Sequence, residues 1–295
     1  MGSVDMARLV AAQLGVLATV GALPCAEDGV PVGEPVPVRC DSGEVVLWRH
    51  QVGRGYVDVA ARPCWGAPLV AFVPEGRVTQ AVVRRPWPVG DPREDAAERY
   101  RQRVHDLTHL AQVVGLDEPV VRRFDRALVE EVLRPKVDTR TLPPCVRPPR
   151  QETDEWALAA CVQVLLDFYR YRYDQERLAS ELGLGTEDSP VRGTWRDVAL
   201  VVEGLTGKAL SAAVSTAPTF TEHLAEVREE RPSISFVPGH ARVVTGYTRM
   251  SSLRLMGAGF AGLLVQDPAE GAARWENYDA MTCEGSCTAR VNLVP

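Results

Sequence analysis

Gln151, position 157, His240 and Asp267 are the residues whose types and order could do chemistry. A thiol in the first turn of a helix is held as thiolate by the aligned peptide dipoles. A histidine beside it moves the proton, and a third polar group must orient that histidine. An amide donor must face the oxyanion of the tetrahedral intermediate. The stretch Gln151-Glu-Thr-Asp-Glu-Trp-Ala-Leu-Ala-Ala-Cys161 has this outline, with one gap: the sixth residue after Gln151 is Ala157, which has no nucleophilic atom. Cys161 does not fill the gap. It stands one turn on, roughly 6 Å along the helix axis, where the dipole's influence fades, and it reads as a buried core thiol.

His240 lies in Pro238-Gly-His-Ala-Arg-Val-Val-Thr-Gly-Tyr247, at the start of a β-branched strand. Gly239 before it would let a substrate approach the backbone. Asp267 ends Leu263-Leu-Val-Gln-Asp267 and precedes Pro268. Singly, a histidine at a strand start and an Asp-Pro pair read as structure and turn; in combination they supply the base and its orienting carboxylate. Trp156 and Gly239, each adjacent to a candidate catalytic position, are the candidate substrate contacts.

This set resembles the papain-like cysteine peptidases, in particular the bacterial branch that includes double-glycine leader peptidases. Members of that branch look like Gln-x5-Cys-Trp-Ala-Ala-Cys on a helix, then Gly-His-x-Val-Val-x-Gly-Tyr, then Asp-Pro. The resemblance runs from Gln151 to Pro295, and Asp174-Gln-Glu-Arg-Leu-Ala179 is similar to the family's second helix. It implies Gln151 as oxyanion donor, His240 as general base and acid, Asp267 as its orienting partner and position 157 as the nucleophile. The chain departs from the pattern at Ala157, and at Leu158, which replaces the usual aromatic. The alanine has two readings: a natural pseudoenzyme kept as a peptide-binding module, or a cysteine changed by design. A decayed site has no reason to keep Gln151, His240 and Asp267 together, which favours the second. With a thiol in place the implied activity is attack on a peptide amide or acyl thioester through an acyl-enzyme. Release by water makes a peptidase; release by an amine or carbanion makes an acyltransferase or cyclase. No cofactor is implied, and the expected partner is a peptide or protein substrate.

Other motifs read more plainly. His105-Asp-Leu-Thr-His109 puts two imidazoles on one helical face, but Asp106 replaces the glutamate of a zinc-peptidase helix and no third ligand stands nearby. Cys64-Trp-Gly66 follows Pro63 in a strand-rich stretch with no helix to lower its pKa. Cys283 and Cys287 lack a second ligand pair, so no metal is expected. Arg122–Arg126 reads as a solvated face, and Gly257–Gly262 as a hairpin turn.

These residues need elements to position them. Residues 1 to about 22 read as an amphipathic helix. Short Val-rich runs between 30 and 83 read as a small antiparallel β unit. Two helices are predicted at Glu94–Val114 and Pro119–Leu133. The Pro-rich segment 141–150 reads as a linker. Next come a helix capped by Asp154 and running to about Tyr169, and further helices at Gln175–Leu182, Thr194–Thr206 and Phe220–Glu230. Strands follow at Ser233–Val237, Ala241–Tyr247, Leu263–Gln266 and Thr288–Leu293. Helices first and an antiparallel sheet afterwards make an α+β fold, papain-like over 151–295, preceded by a β-plus-helical region over 1–140 whose role is open, partner docking included.

The 295 residues are 45% hydrophobic and 24% charged, ordinary for a globular chain. A net charge of −6 argues against nucleic acid as an electrostatic partner, and no run of 18 apolar residues predicts a membrane span. The apolar stretch Leu9–Leu23 is interrupted by Gln13, Gly15, Thr19 and Gly21 and ends in a poor cleavage site. With seven scattered cysteines and no C-x-x-C pair, a reducing cytoplasm is expected and secretion is the alternative.

Overall fold

The computed structural model describes residues 3–24, 30–31, 34–40, 42–76, 94–143, 150–237, 239–282 and 289–295. The core of the predicted linker, 144–149, and Cys283 and Cys287 lie outside them. In chain order the elements are α1 (Ser3–Thr19), β1 (Val36–Arg39), β2 (Val45–Val52), β3 (Gly55–Ala60), β4 (Leu69–Val73), α2 (Glu94–Val113), α3 (Arg126–Leu133), β5 (Pro135–Thr141), α4 (Ala157–Phe168), α5 (Gln175–Glu181), α6 (Val198–Leu205), β6 (Ser211–Thr216), α7 (Phe220–Arg228), β7 (Ser233–Val237), β8 (His240–Ser252), β9 (Phe260–Asp267), β10 (Ala272–Asn277), α8 (Tyr278–Thr282) and β11 (Ala289–Val294). The fold is α+β with antiparallel sheets.

The chain forms two compact units. One comprises 1–139, 248–263 and 274–284; the other comprises 140–247, 264–273 and 285–295. The division is therefore not a single cut: the sequence places everything after 150 in one domain, whereas two later segments group with the N-terminal region.

In the first unit, β1 to β4 form an antiparallel meander. The α1 helix is not amphipathic as expected; Leu9, Leu14 and Leu17 are buried, and so is Gln13, whose side-chain amide donates to the Ala258 and Gly259 carbonyls. Gly15 lets α1 lie close to the 122–124 segment, because a Cβ there would stand 2.3 Å from the Arg122 carbonyl oxygen. The helix predicted from Pro119 starts later. Val120–Val121 pairs with Val30–Pro31, and the Asp125 side chain caps α3 by accepting from the Ala127 and Leu128 amides. Asp106 points inward and accepts from the Gly257 amide at 2.7 Å, while the His105 side chain is exposed. Cys64 is buried in a short 3₁₀ turn.

The second unit carries the candidate site. Its strands run β6–β11–β7–β8–β9, all antiparallel where they pair. Ile234, Val243 and Val291 share a row and are fully buried, and α4 packs on β7. The Asp174 side chain caps α5. A capping box closes α7: Thr219 and Glu222 bond each other's backbone amides. The predicted 194–206 helix opens as a 3₁₀ turn, and α6 proper begins at Val198. We expect Thr219→Ala to cost about 1 kcal/mol in urea unfolding. Hydrogen bonds from Ser215 and from the Thr219 amide hold Glu222 down to about 2. Its contribution is therefore present at neutral pH and lost as pH falls from the ordinary carboxylate range towards 2. Glu222→Gln should flatten the dependence of melting temperature on pH across that window.

Candidate active site

The β7–β8 hairpin positions His240. Val237 pairs directly with His240, so the connection is only two residues long, and Gly239 sits at φ 69°, where a side chain would be strained. The glycine is thus required by the turn, and it also lines the cleft. The next strand carries the carboxylate. His240 Nε2 lies 2.7 Å from Asp267 Oδ1. Asp267 is fully buried, and the same oxygen accepts from the Ala269 amide at 3.0 Å, so the turn after β9 fixes the carboxylate. An ionised carboxylate can only accept, so Nε2 carries the proton and Nδ1 is the nitrogen able to take up another.

Ala157 is the first residue of α4. Asp154 does not cap this helix as expected; Trp156 occupies the cap position and makes no side-chain capping bond. Thr153 to Trp156 form a turn instead, closed by the Trp156 amide on the Thr153 carbonyl at 3.3 Å. The first-turn amides of α4 therefore receive no side-chain acceptor from the cap residue, and they surround the position where a thiolate would sit.

Gln151 is tied by its backbone to the turn after β9 and is not among the residues that line the cleft described below. Its amide donates to the Pro268 carbonyl at 3.0 Å, joining it to the turn that holds Asp267. Its side-chain Nε2 donates to the Thr153 carbonyl at 2.8 Å. An amide nitrogen carries two protons, and this bond uses one of them. Gln175, which the sequence did not single out, locks this segment. It is buried, accepts from the Glu152 amide at 3.1 Å and donates to the Arg150 carbonyl at 2.9 Å.

Ala157 and His240 line one cleft of about 210 Å³, together with Leu158, Gly193, Trp195 and Phe236. Trp156 does not belong to that lining. It is 1% exposed and donates from Nε1 to the Leu184 carbonyl at 3.0 Å, so its expected role as a substrate contact gives way to a structural one: indole burial under the site. The loop opposite is tied to the nucleophile segment twice. Val191 donates to that same Leu184 carbonyl at 2.7 Å, and Arg192 holds Glu155 through two bonds of 2.7 and 3.2 Å. At Gly193 a Cβ would come within 2.6 Å of both Leu158 and Leu184, so the wall is closed tightly against the start of α4. No periodicity or spacing marks Arg192, Gly193 or Trp195, because the loop acquires its role only by folding back onto α4.

No protein-family model and no curated protein matches the chain. Among solved structures it is similar to a putative C39-like peptidase from Bacillus anthracis, at 11% identity and a TM-score of 0.36, over 54% of this chain and 98% of that one. It is also similar to UfSP from C. elegans, at 13% identity and a TM-score of 0.36, over 52% of this chain and 34% of that one. Likeness of this degree decides nothing about chemistry; the site geometry must do so.

Cys161 brings a sulfur onto the same helix, one turn beyond the site. It is fully buried, and its thiol is pushed well above its usual range by burial first and by the Asp267 charge second. It cannot supply a thiolate at neutral pH. In a thiol titration of the folded chain Cys161 should stay unmodified, becoming reactive only on unfolding. Modification in the native state would show that α4 opens locally. Among the described residues no group of three metal-ligating side chains gathers, and no helix is long and apolar enough to cross a membrane.

Proposed function

We propose that residues 151–295 carry a papain-like thiol-hydrolase site for a peptide or protein carbonyl, with position 157 as the seat of the nucleophile. The observation that carries this reading is the His240–Asp267 pair at 2.7 Å, opening onto the same cleft as the first residue of a helix. With sulfur at 157, Nδ1 of His240 would take its proton and the α4 amides would stabilise the thiolate. The thiolate would attack the carbonyl, and Gln151 would bond the oxyanion through its remaining proton. The imidazolium would then protonate the leaving group, and water would release the acyl-enzyme. In the present chain Ala157 lacks the sulfur, so the cleft binds substrate without attacking it. The retained dyad favours a cysteine changed by design over a decayed site. Residues 1–140 would serve recognition or partner docking, and the cytoplasm is the compartment that fits.

The test is gain of function. Ala157→Cys, given a mixed peptide pool, should release new N-termini, whereas the Ala157 chain and an Ala157→Cys, His240→Ala double variant should not. New amide or ring products in place of free N-termini would assign the site to acyl transfer. A reactive thiol at position 157 that turns over nothing would leave a binding module.

A further inference from the structure

A groove of about 480 Å³ lies beside the C-terminal end of α3. Its charged lining is Arg126, Glu130, Arg134 and Lys136, and its apolar lining includes Val137 and Leu253. All of it belongs to the first unit. The walls are fixed by the carbonyls that end α3, which have no partner within the helix. The Arg134 amide donates to the Glu130 carbonyl at 3.0 Å, and Arg254 Nη1 donates to the Glu131 carbonyl at 2.7 Å. The Leu253 amide and the Ser252 hydroxyl both donate to the Leu133 carbonyl, at 3.1 and 2.9 Å. The backbone is thus held on both sides, yet the apolar side chains it presents stay in solvent: Leu253 is 64% exposed and Val137 39%.

Charge decides the occupant. Arg126 is paired with Glu130 at 2.8 Å. Arg134 and Lys136 are exposed and form no ion pair among the described residues. Two positive charges therefore stand uncompensated in one groove, on a chain whose net charge is −6. A small anion would leave the apolar lining unused. Nucleic acid is disfavoured by the Glu130 carboxylate, by the net charge and by a lining without an aromatic ring on which a base could stack. Two copies meeting groove to groove would set cation against cation. Carboxylates close to an apolar side chain satisfy both halves of the lining.

We propose that this groove docks an acidic segment of a partner protein, with carboxylates on Arg134 and Lys136 and an apolar side chain against Val137 and Leu253. Complementary charge of this kind steers encounter and fixes register, while burial of the apolar side chain slows release. The proposal rests on the docking role given above to residues 1–140, to which it adds a place and a partner chemistry. It does not depend on what happens at position 157.

The probe is a fluorescent peptide rich in Glu with Leu at its centre, titrated against the full-length chain by anisotropy. It should saturate below about 1 mM, the range of weak specific binding, and bind less tightly as salt is raised. Counterparts with Lys for Glu, or with Ser for Leu, should bind at least about tenfold more weakly. Lys136→Glu and Leu253→Ser should each weaken the acidic peptide about tenfold. Arg134→Gly keeps folding out of the comparison, because glycine adopts the φ of 45° found there without strain. Its melting temperature should hold or rise while binding falls about fivefold. No binding up to about 1 mM, or a basic peptide that binds as well, overturns the proposal. An acidic peptide indifferent to all three substitutions also overturns it, and moves the docking role to another surface. Vesicles containing phosphatidylserine that bind as tightly as the peptide, and are lost in the same variants, would assign the groove to a membrane surface instead. The reading of position 157 is untouched by any of these results, since alkylation of an introduced thiol tests it separately.

Discussion

The thiol introduced by Ala157→Cys should be alkylated by iodoacetamide at a rate that stays nearly level as pH falls from 7 to about 5.5. An ordinary thiol with pKa near 8.5 loses about tenfold in thiolate per pH unit there, reaching about 0.1% ionised at pH 5.5. A thiol paired with imidazolium at a helix N-terminus has a pKa of about 3.5–7.5 and keeps a substantial thiolate fraction. Lower basicity also lowers nucleophilicity, by a Brønsted slope of about 0.4–0.5, so the net advantage at pH 5.5 is roughly tenfold rather than several hundredfold. The shape of the profile is therefore the sharper readout. His240→Ala should return position 157 to the ordinary tenfold decline. Asp267→Asn should do so in part, because the carboxamide oxygen could still accept from Nε2 but could not balance the imidazolium charge. An introduced thiol that follows the ordinary profile with His240 intact would refute the site, whatever substrate is tried. If the profile is level, catalysis is a separate question, answered by the peptide pool.

The candidate site was legible in the sequence where its residues lie close together along the chain. Gln151, Ala157, the Gly239–His240 turn and Asp267 lie in short motifs; in the structure His240 bonds Asp267, His240 and Ala157 line one cleft, and Gln151 bonds the turn after β9. The strand Ser233–Val237 has the expected bounds, because five uncharged residues before a turn leave few alternatives. What escaped reading depends on pairing between distant segments. β6 shows neither alternation nor a long apolar run, and it is a strand because β11 lies beside it. β10 contains Arg274 and Glu276, which suggest a surface loop; both are buried, and their mutual hydrogen bond makes that burial tolerable. Strand β8 runs on to Ser252, five residues past the Tyr247 read as its end. Gln175 was hidden for a related reason: a glutamine one residue after a helix cap looks solvated until the 150–152 segment folds over it.

Trp156→Ala should be the most destabilising substitution near the site, by about 3–5 kcal/mol in denaturant unfolding. The indole is 1% exposed, so its removal leaves a large apolar cavity beneath the start of α4. It also leaves the Leu184 carbonyl with the Val191 amide as its remaining donor of the two. Trp156→Phe separates these contributions, since it keeps most of the volume and loses the Nε1 bond; the expected cost is about 1–2 kcal/mol. The two variants also bear on function differently from a substrate contact. If Trp156 acts by seating position 157 and the 187–195 loop, then in the Ala157→Cys background Trp156→Phe should lower the rate of thiol alkylation and of turnover together. A change in apparent substrate affinity at constant alkylation rate would instead place the indole against substrate. The burial of Trp156, and the carbonyl it shares with the opposing wall, favour the first outcome: the indole lies under the start of α4, and Leu158, Gly193 and Trp195 line the cleft beyond it.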